Sequence, residues 1–132
     1  MNDNLLNILK YLKKIELTEN RLLYILYLID WKSAIEERKQ LTNLTWIYKQ
    51  GPDIEDKEVI FNIYSDIDQN NCFLTSSEKM IITTTIKIHL TRNYSELTRF
   101  VISTYPIIGS NKGEVLNLVD LAKEYSLIRD KY

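Results

Sequence analysis

The amino-acid sequence predicts a mainly α protein with a small antiparallel β-hairpin or sheet, an α+β chain folded as one compact helical domain over residues 1–132. Three observations carry that reading. Apolar residues recur at helical spacing along most of the chain. The stretch LLYILYLIDW, residues 22–31, is apolar on almost every side and holds a single charge, Asp30, as expected of a helix surrounded by others. Residues 41–48, LTNLTWIY, alternate side chains that favour a pleated strand and stop before Gly51 and Pro52. A length of 132 residues suits one core of ordinary size.

Each element follows from its pattern. Leu5, Leu6, Ile8, Leu9, Leu12 and Ile15 share a face opposite Lys10, Lys13 and Lys14, giving an amphipathic helix over 3–15. Thr18 is placed to cap a second helix, with Glu19 in its first turn, running to about Glu37. After the strand at 41–48, Asp53 is placed to cap a helix from Ile54 to Asp66 that turns Ile54, Val59, Ile60, Ile63 and Ile67 inward. CFLT, residues 72–75, reads as an edge strand pairing with residues 43–47. Ser76 or Ser77 caps a helix that buries Met80, Ile81, Thr84 and Ile88 despite its β-branched run. Ser95 caps the next, which buries Leu97, Phe100, Val101, Thr104 and Tyr105 before Pro106 stops it. Residues 107–114 read as a loop, and Val115, Leu118, Val119, Ala122 and Tyr125 line a last helix from Glu114 to about Leu127, followed by a charged tail.

Charge and cysteine content narrow the function. Seventeen basic against eighteen acidic residues provide no cationic excess for phosphate backbones, so nucleic acid is not an expected partner. The one cysteine, Cys72, has no intramolecular disulfide partner, which fits a reducing cytoplasm. The opening residues place acid before a short apolar stretch and basic residues after it, the reverse of a secretory signal. The apolar run at 22–31 falls short of the ~20 residues a bilayer needs, so no membrane association is expected. Six of the seven charged groups between residues 51 and 76 are acidic, which makes 53–68 either a solvated face or a surface that steers a basic partner.

No enzyme constellation stands out, and no cofactor, metal or catalytic residue is expected. The three glycines are too dispersed for a phosphate-cradling loop, and one Cys with one His falls short of a zinc ligand set. His89 and Cys72 lie on separate elements with no supporting motif, and read as a helix-borne histidine and a small buried cysteine. The acids Asp53, Glu55, Asp56 and Glu58 leave a metal-dependent hydrolase open as a third choice. Asp30, inside an apolar stretch, needs a Lys, Arg or indole partner, or a wet side of its helix. Trp46 and Tyr48 fall on one face of the strand, either in the core or as anchors of a protein interface.

One longer segment carries a resemblance. RLLYILYLIDWKSAIEERKQLTNLTWIYKQGPDI resembles the opening of the Panacea domain, also described as the SocA-like antitoxin domain of bacterial and phage-associated proteins. Leu26, Tyr27, Leu28, Asp30 and Trp31 stand in its apolar Asp-Trp helix, and Thr42, Trp46, Gly51 and Pro52 in its strand and Gly-Pro turn. FVISTYPI and NLVDLAKEYS are similar to its closing helices. The chain departs from the family's pattern at residues 36–40, EERKQ, and at Gln50 and Asp53, where tyrosines are usual.

The resemblance implies a mostly helical fold with a small sheet, and a non-enzymatic module that neutralises a separately encoded toxin or defence effector by contact. The alternative is a small non-catalytic subunit of a multi-protein defence or nucleic-acid-processing complex. The expected partner is the product of a neighbouring gene, with self-association open. Trp46, Tyr48, Thr42 and Asp53 are the expected contact residues. Asp30, Trp31, Gly51 and Pro52 are the structural motif, with Asp30 and Trp31 tying the central helix to the sheet.

Overall fold

The computed structural model describes residues 3–131; Met1, Asn2 and Tyr132, which the single-domain and leader expectations include, lie outside them. The fold is mainly α with a small antiparallel sheet. Helix α1 spans Asp3–Leu12 and tightens into a 3-10 turn at Lys13–Ile15. Helix α2, Glu19–Glu37, is the central rod, with bounds that match the sequence pattern. Its buried residues run from Leu22 to Ala34 around the whole circumference, because α4 (Ser76–His89), α5 (Tyr94–Ile102) and α7 (Leu118–Lys131) pack against it.

Strand β1 covers Trp46–Tyr48 and stands in the middle of a three-stranded sheet, between β2, Pro52–Asp53, and β3, Val115–Leu116. Both pairings are antiparallel, with Ile47 opposite Asp53 on one side and Val115 on the other. Pro52 has no amide proton to donate and sits on an outer strand, where sheets tolerate it. The strand begins at Trp46 and not at Leu41 because a side chain takes the earlier amides. The N–H groups of Leu41 and Thr42 donate to Asp30 Oδ1, each at 3.0 Å, and that of Leu44 donates to Thr42 Oγ1 at 3.2 Å. Amides so engaged do not join a ladder.

Residues 72–75 are not the expected edge strand. Asn7 of α1 holds them, its Oδ1 accepting the Phe73 amide at 3.1 Å and its carbonyl accepting the Cys72 thiol at 3.1 Å, and the sheet recruits β3 in their place. Helix α3 runs Lys57–Asp66, starting later than expected because Pro52 and Asp53 belong to the sheet. Its N-cap is Asp56; Asp53 accepts the Ile54 amide at 2.8 Å and pairs with Lys57 at 3.4 Å. Val59, expected inside, is 53% exposed.

Two helix starts lie upstream of the serines expected to cap them. Thr75 caps α4 and Asn93 caps α5, each in a reciprocal box with the glutamate three residues on, Glu78 and Glu96. The acid selects the cap, since only a residue three before it can exchange both bonds. Thr18 stands at the N-cap of α2 without a side-chain bond. Within the β-branched run of α4, Thr85 Oγ1 donates to the Ile81 carbonyl at 2.8 Å, so its buried hydroxyl is satisfied inside the helix. Its inward residues are Ile81, Ile82, Thr85 and His89, so Met80 and Ile88 face outward.

Pro106 starts structure as well as ending it. A short helix α6, Tyr105–Ile108, carries it in the first turn, where its fixed φ suits helix entry, and the expected loop is reduced to the residues after Ile108. Val115 leaves the last helix for β3, and α7 continues four residues past Leu127, through the expected tail. One contiguous apolar core joins all layers, from Leu5 of α1 through Leu26 and Ile29 of α2 to Trp46, Ile82, Leu97 and Leu118.

Candidate functional site

The motif residues come together at Asp30. Four donors converge on this fully buried carboxylate: the amides of Leu41 and Thr42 on Oδ1, and the Thr42 hydroxyl at 2.5 Å with the Trp46 indole at 2.9 Å on Oδ2. Burial raises Asp30 to about 6, opposed by those same bonds. Every partner is a donor, so the node is built around the carboxylate as acceptor. It acts as a clamp between α2 and the approach to β1.

That arrangement corrects part of the expected contact surface. Trp46 is 0% exposed and Thr42 is buried, so neither touches a partner in the folded chain. Tyr48 lies half-buried against the core, and Asp53 is half-buried beside Lys57. Trp31, expected to tie α2 to the sheet, packs instead on Tyr125 of α7, ring centroids 5.8 Å apart. The tie to the sheet is made by Asp30.

Gly51, Pro52 and Asp53 border a polar hollow with Tyr24, Lys57 and Tyr94. Tyr24 and Tyr94 stack at 5.8 Å, nearly parallel at 6°. Burial, followed by the bond and proximity to Tyr94, pushes the Tyr24 hydroxyl up to about 12. The acids expected for a hydrolase do not converge, and no group of three or more His, Cys, Asp or Glu among the described residues is placed to hold a metal. No helix among the described residues is long and apolar enough to cross a membrane.

A more apolar concave feature lies elsewhere, where α2, α4, α5, α6 and α7 meet. It is an open groove of 460 Å³. Trp31 and Ile35 form one wall, Ile88 and His89 the other, and Phe100, Tyr105 and Ile108 the end toward α5 and α6. Ile108 is 70% exposed and Ile88 48%, an arrangement that leaves apolar side chains in water around a cleft. His89 is 4% exposed and tilts against Phe100 at 4.5 Å, and its Nδ1 is buried with no hydrogen-bond partner. Burial, and next the charge of Arg92, lower His89 to about 4, so the imidazole is neutral at pH 7.

Sequence reasoning placed Ile88 and Phe100 in the core and Ile108 in a loop, and so missed this groove. Comparison with protein-family models, with curated proteins and with solved structures found no match.

Proposed function

We propose that the chain is a non-enzymatic protein-interaction module that binds and neutralises a toxin or defence effector encoded separately, in the manner of a cytoplasmic antitoxin. Its resemblance to the Panacea domain supports this reading. The resembling residues Asp30, Thr42 and Trp46 meet in one hydrogen-bonded node, so the matching positions are those that set the frame. The observation that carries the proposal is the groove between α2 and α4 to α7, with Ile88, Phe100 and Ile108 left in water along it. Exposed apolar clefts with aromatic walls are where interface hot spots concentrate.

The test is tagged co-expression with the product of each neighbouring gene, read by co-purification, native mass and growth. A stoichiometric complex with a growth-inhibitory neighbour, and relief of that inhibition, is the expected result. Recovery of the chain alone, with no neighbour toxic, would overturn the proposal.

A small non-catalytic subunit of a multi-protein defence or nucleic-acid-processing complex is the second reading. The observation in its favour is the charge separation between the acids of 53–68, on and around α3, and Lys87, Arg92 and Arg99 on and between α4 and α5. Segments of opposite charge bias suit a chain that bridges two partners. Co-purification with two neighbours at once, neither of them toxic, distinguishes it.

A further inference from the structure

The apolar groove does not end at Phe100. That ring also lines a shallow depression on the far side, shared with Arg92, Glu96 and Arg99. The two halves differ in chemistry: the first is walled mostly by carbon, and the second carries two guanidinium groups. Arg92 lies over the Phe100 ring, 5.0 Å from its centroid, with Nε buried and without a hydrogen-bond partner. Neither arginine makes an ion pair among the described residues. Glu96, the acid between them, is engaged at the α5 cap, its Oε1 accepting the Asn93 amide at 3.3 Å.

We propose that this two-part groove docks an acidic amphipathic segment of a partner protein, its apolar side chains seated against Ile88, Phe100 and Ile108 and its carboxylates on Arg92 and Arg99. The proposal rests on the reading of the chain as an interaction module and names the chemistry of what the module takes. Charge decides the sign of the partner. Two unpaired guanidinium groups beside an apolar cleft attract carboxylates, which accept from the planar fork in pairs. Shape decides the form: a concave trough admits a rod with apolar residues at helical spacing, whereas a bilayer needs a convex or flat face.

The experiment is fluorescence polarisation of the full chain with two labelled helical peptides of ~18 residues, each with Leu at i, i+3, i+4 and i+7, flanked in one by Glu and in the other by Lys. Tighter binding of the Glu peptide by at least about tenfold, weakening with salt, is expected. Arg92→Glu with Arg99→Glu should reverse the preference, and Ile108→Asp should weaken both peptides. Ile108 and Arg99 are exposed, so thermal melts of Ile108→Asp and Arg99→Glu alone report whether folding is intact.

Equal affinities, no binding of either peptide, or affinities untouched by the variants would overturn the proposal. So would capture by anionic phosphatidylserine vesicles in place of peptide, or a native dimer that Ile108→Asp dissociates, which assign the face to a bilayer or to a second copy. A neighbour complex that survives both sets of substitutions sinks the groove and leaves the module. Peptide selectivity with no neighbour complex does the reverse.

Discussion

The indole Nε1 of Trp46 donates to Oδ2 of Asp30 at 2.9 Å, joining the interior of α2 to the first residue of β1. The same Trp46 ring meets Tyr27 edge-on at 5.5 Å, so the bond is enclosed by aromatic surface. Trp46→Phe keeps much of that surface and removes the donor. Loss of a hydrogen bond to a carboxylate, plus the space left by the smaller ring, should cost about 2–4 kcal/mol. Urea unfolding at neutral pH measures it, and a loss below ~0.5 kcal/mol would show that the node is dispensable. Because the side chain is inside, the variant should still form any partner complex wherever it remains folded.

The pH dependence of stability has two opposing contributions with overlapping windows. Asp30 rises from an ordinary 3.8 to about 6, so the folded state holds this proton more tightly than the unfolded state does. Its contribution is complete below about pH 4 and is lost as pH rises through about 6. His89 falls from 6.5 to about 4, so here the unfolded state binds the proton more tightly. That contribution is complete above 6.5 and is lost as pH falls toward 4. In the wild type the two slopes offset between about pH 4 and 6. His89→Gln removes one of them. Its urea midpoint, relative to wild type, should therefore be higher at about pH 4.5 than at about pH 7.5. A difference between the two proteins that stays constant with pH would contradict the neutral imidazole.

The reciprocal caps make a local prediction. Thr75→Ala and Asn93→Ala each leave a helix N-terminal amide without its acceptor, while keeping the backbone N–H that donates to the matching glutamate, and each should cost about 1 kcal/mol. Ser76→Ala and Ser95→Ala, at the neighbouring positions the sequence pattern favours, should lie within about 0.5 kcal/mol of wild type. Thermal melts of the four variants separate the two sets, and equal effects across all four would remove the boxes from the account.

Those caps also show what a linear reading sees. Helix α2 was legible at both ends, because a nearly all-apolar run between polar flanks has one way to pack. The start of β1 was hidden, because Leu41 and Thr42 are good strand formers whose amides are taken by a carboxylate eleven and twelve residues earlier. The groove was hidden by a phase error. The expected inward set on α4 was right at Ile81 but otherwise ran through Met80, Thr84 and Ile88, each one residue, or ~100° around a helix, before the observed Ile81, Thr85 and His89. A run such as IITTTIKIH is apolar or β-branched at both phases, and only the packing of α2 against α4 chooses between them.

Glycine provides the last test, since the Gly51 of the resemblance and the Gly113 outside it ask for different things. Gly113 has φ +92°, a conformation that L side chains rarely adopt, and its amide donates to the Tyr48 carbonyl at 2.6 Å, fastening the loop before β3 to β1. Gly113→Ala meets no atom within 4 Å yet must adopt that backbone, and should cost about 1 kcal/mol or more through strain alone. Gly51 is not in the left-handed region. A methyl there would lie 3.6 Å from the Tyr24 hydroxyl and 3.8 Å from Ile102, both ordinary contacts. Gly51→Ala should therefore stay within about 0.5 kcal/mol of wild type. If urea unfolding ranks the two in the opposite order, the backbone at Gly51 carries a constraint that neither its dihedral nor its neighbours account for.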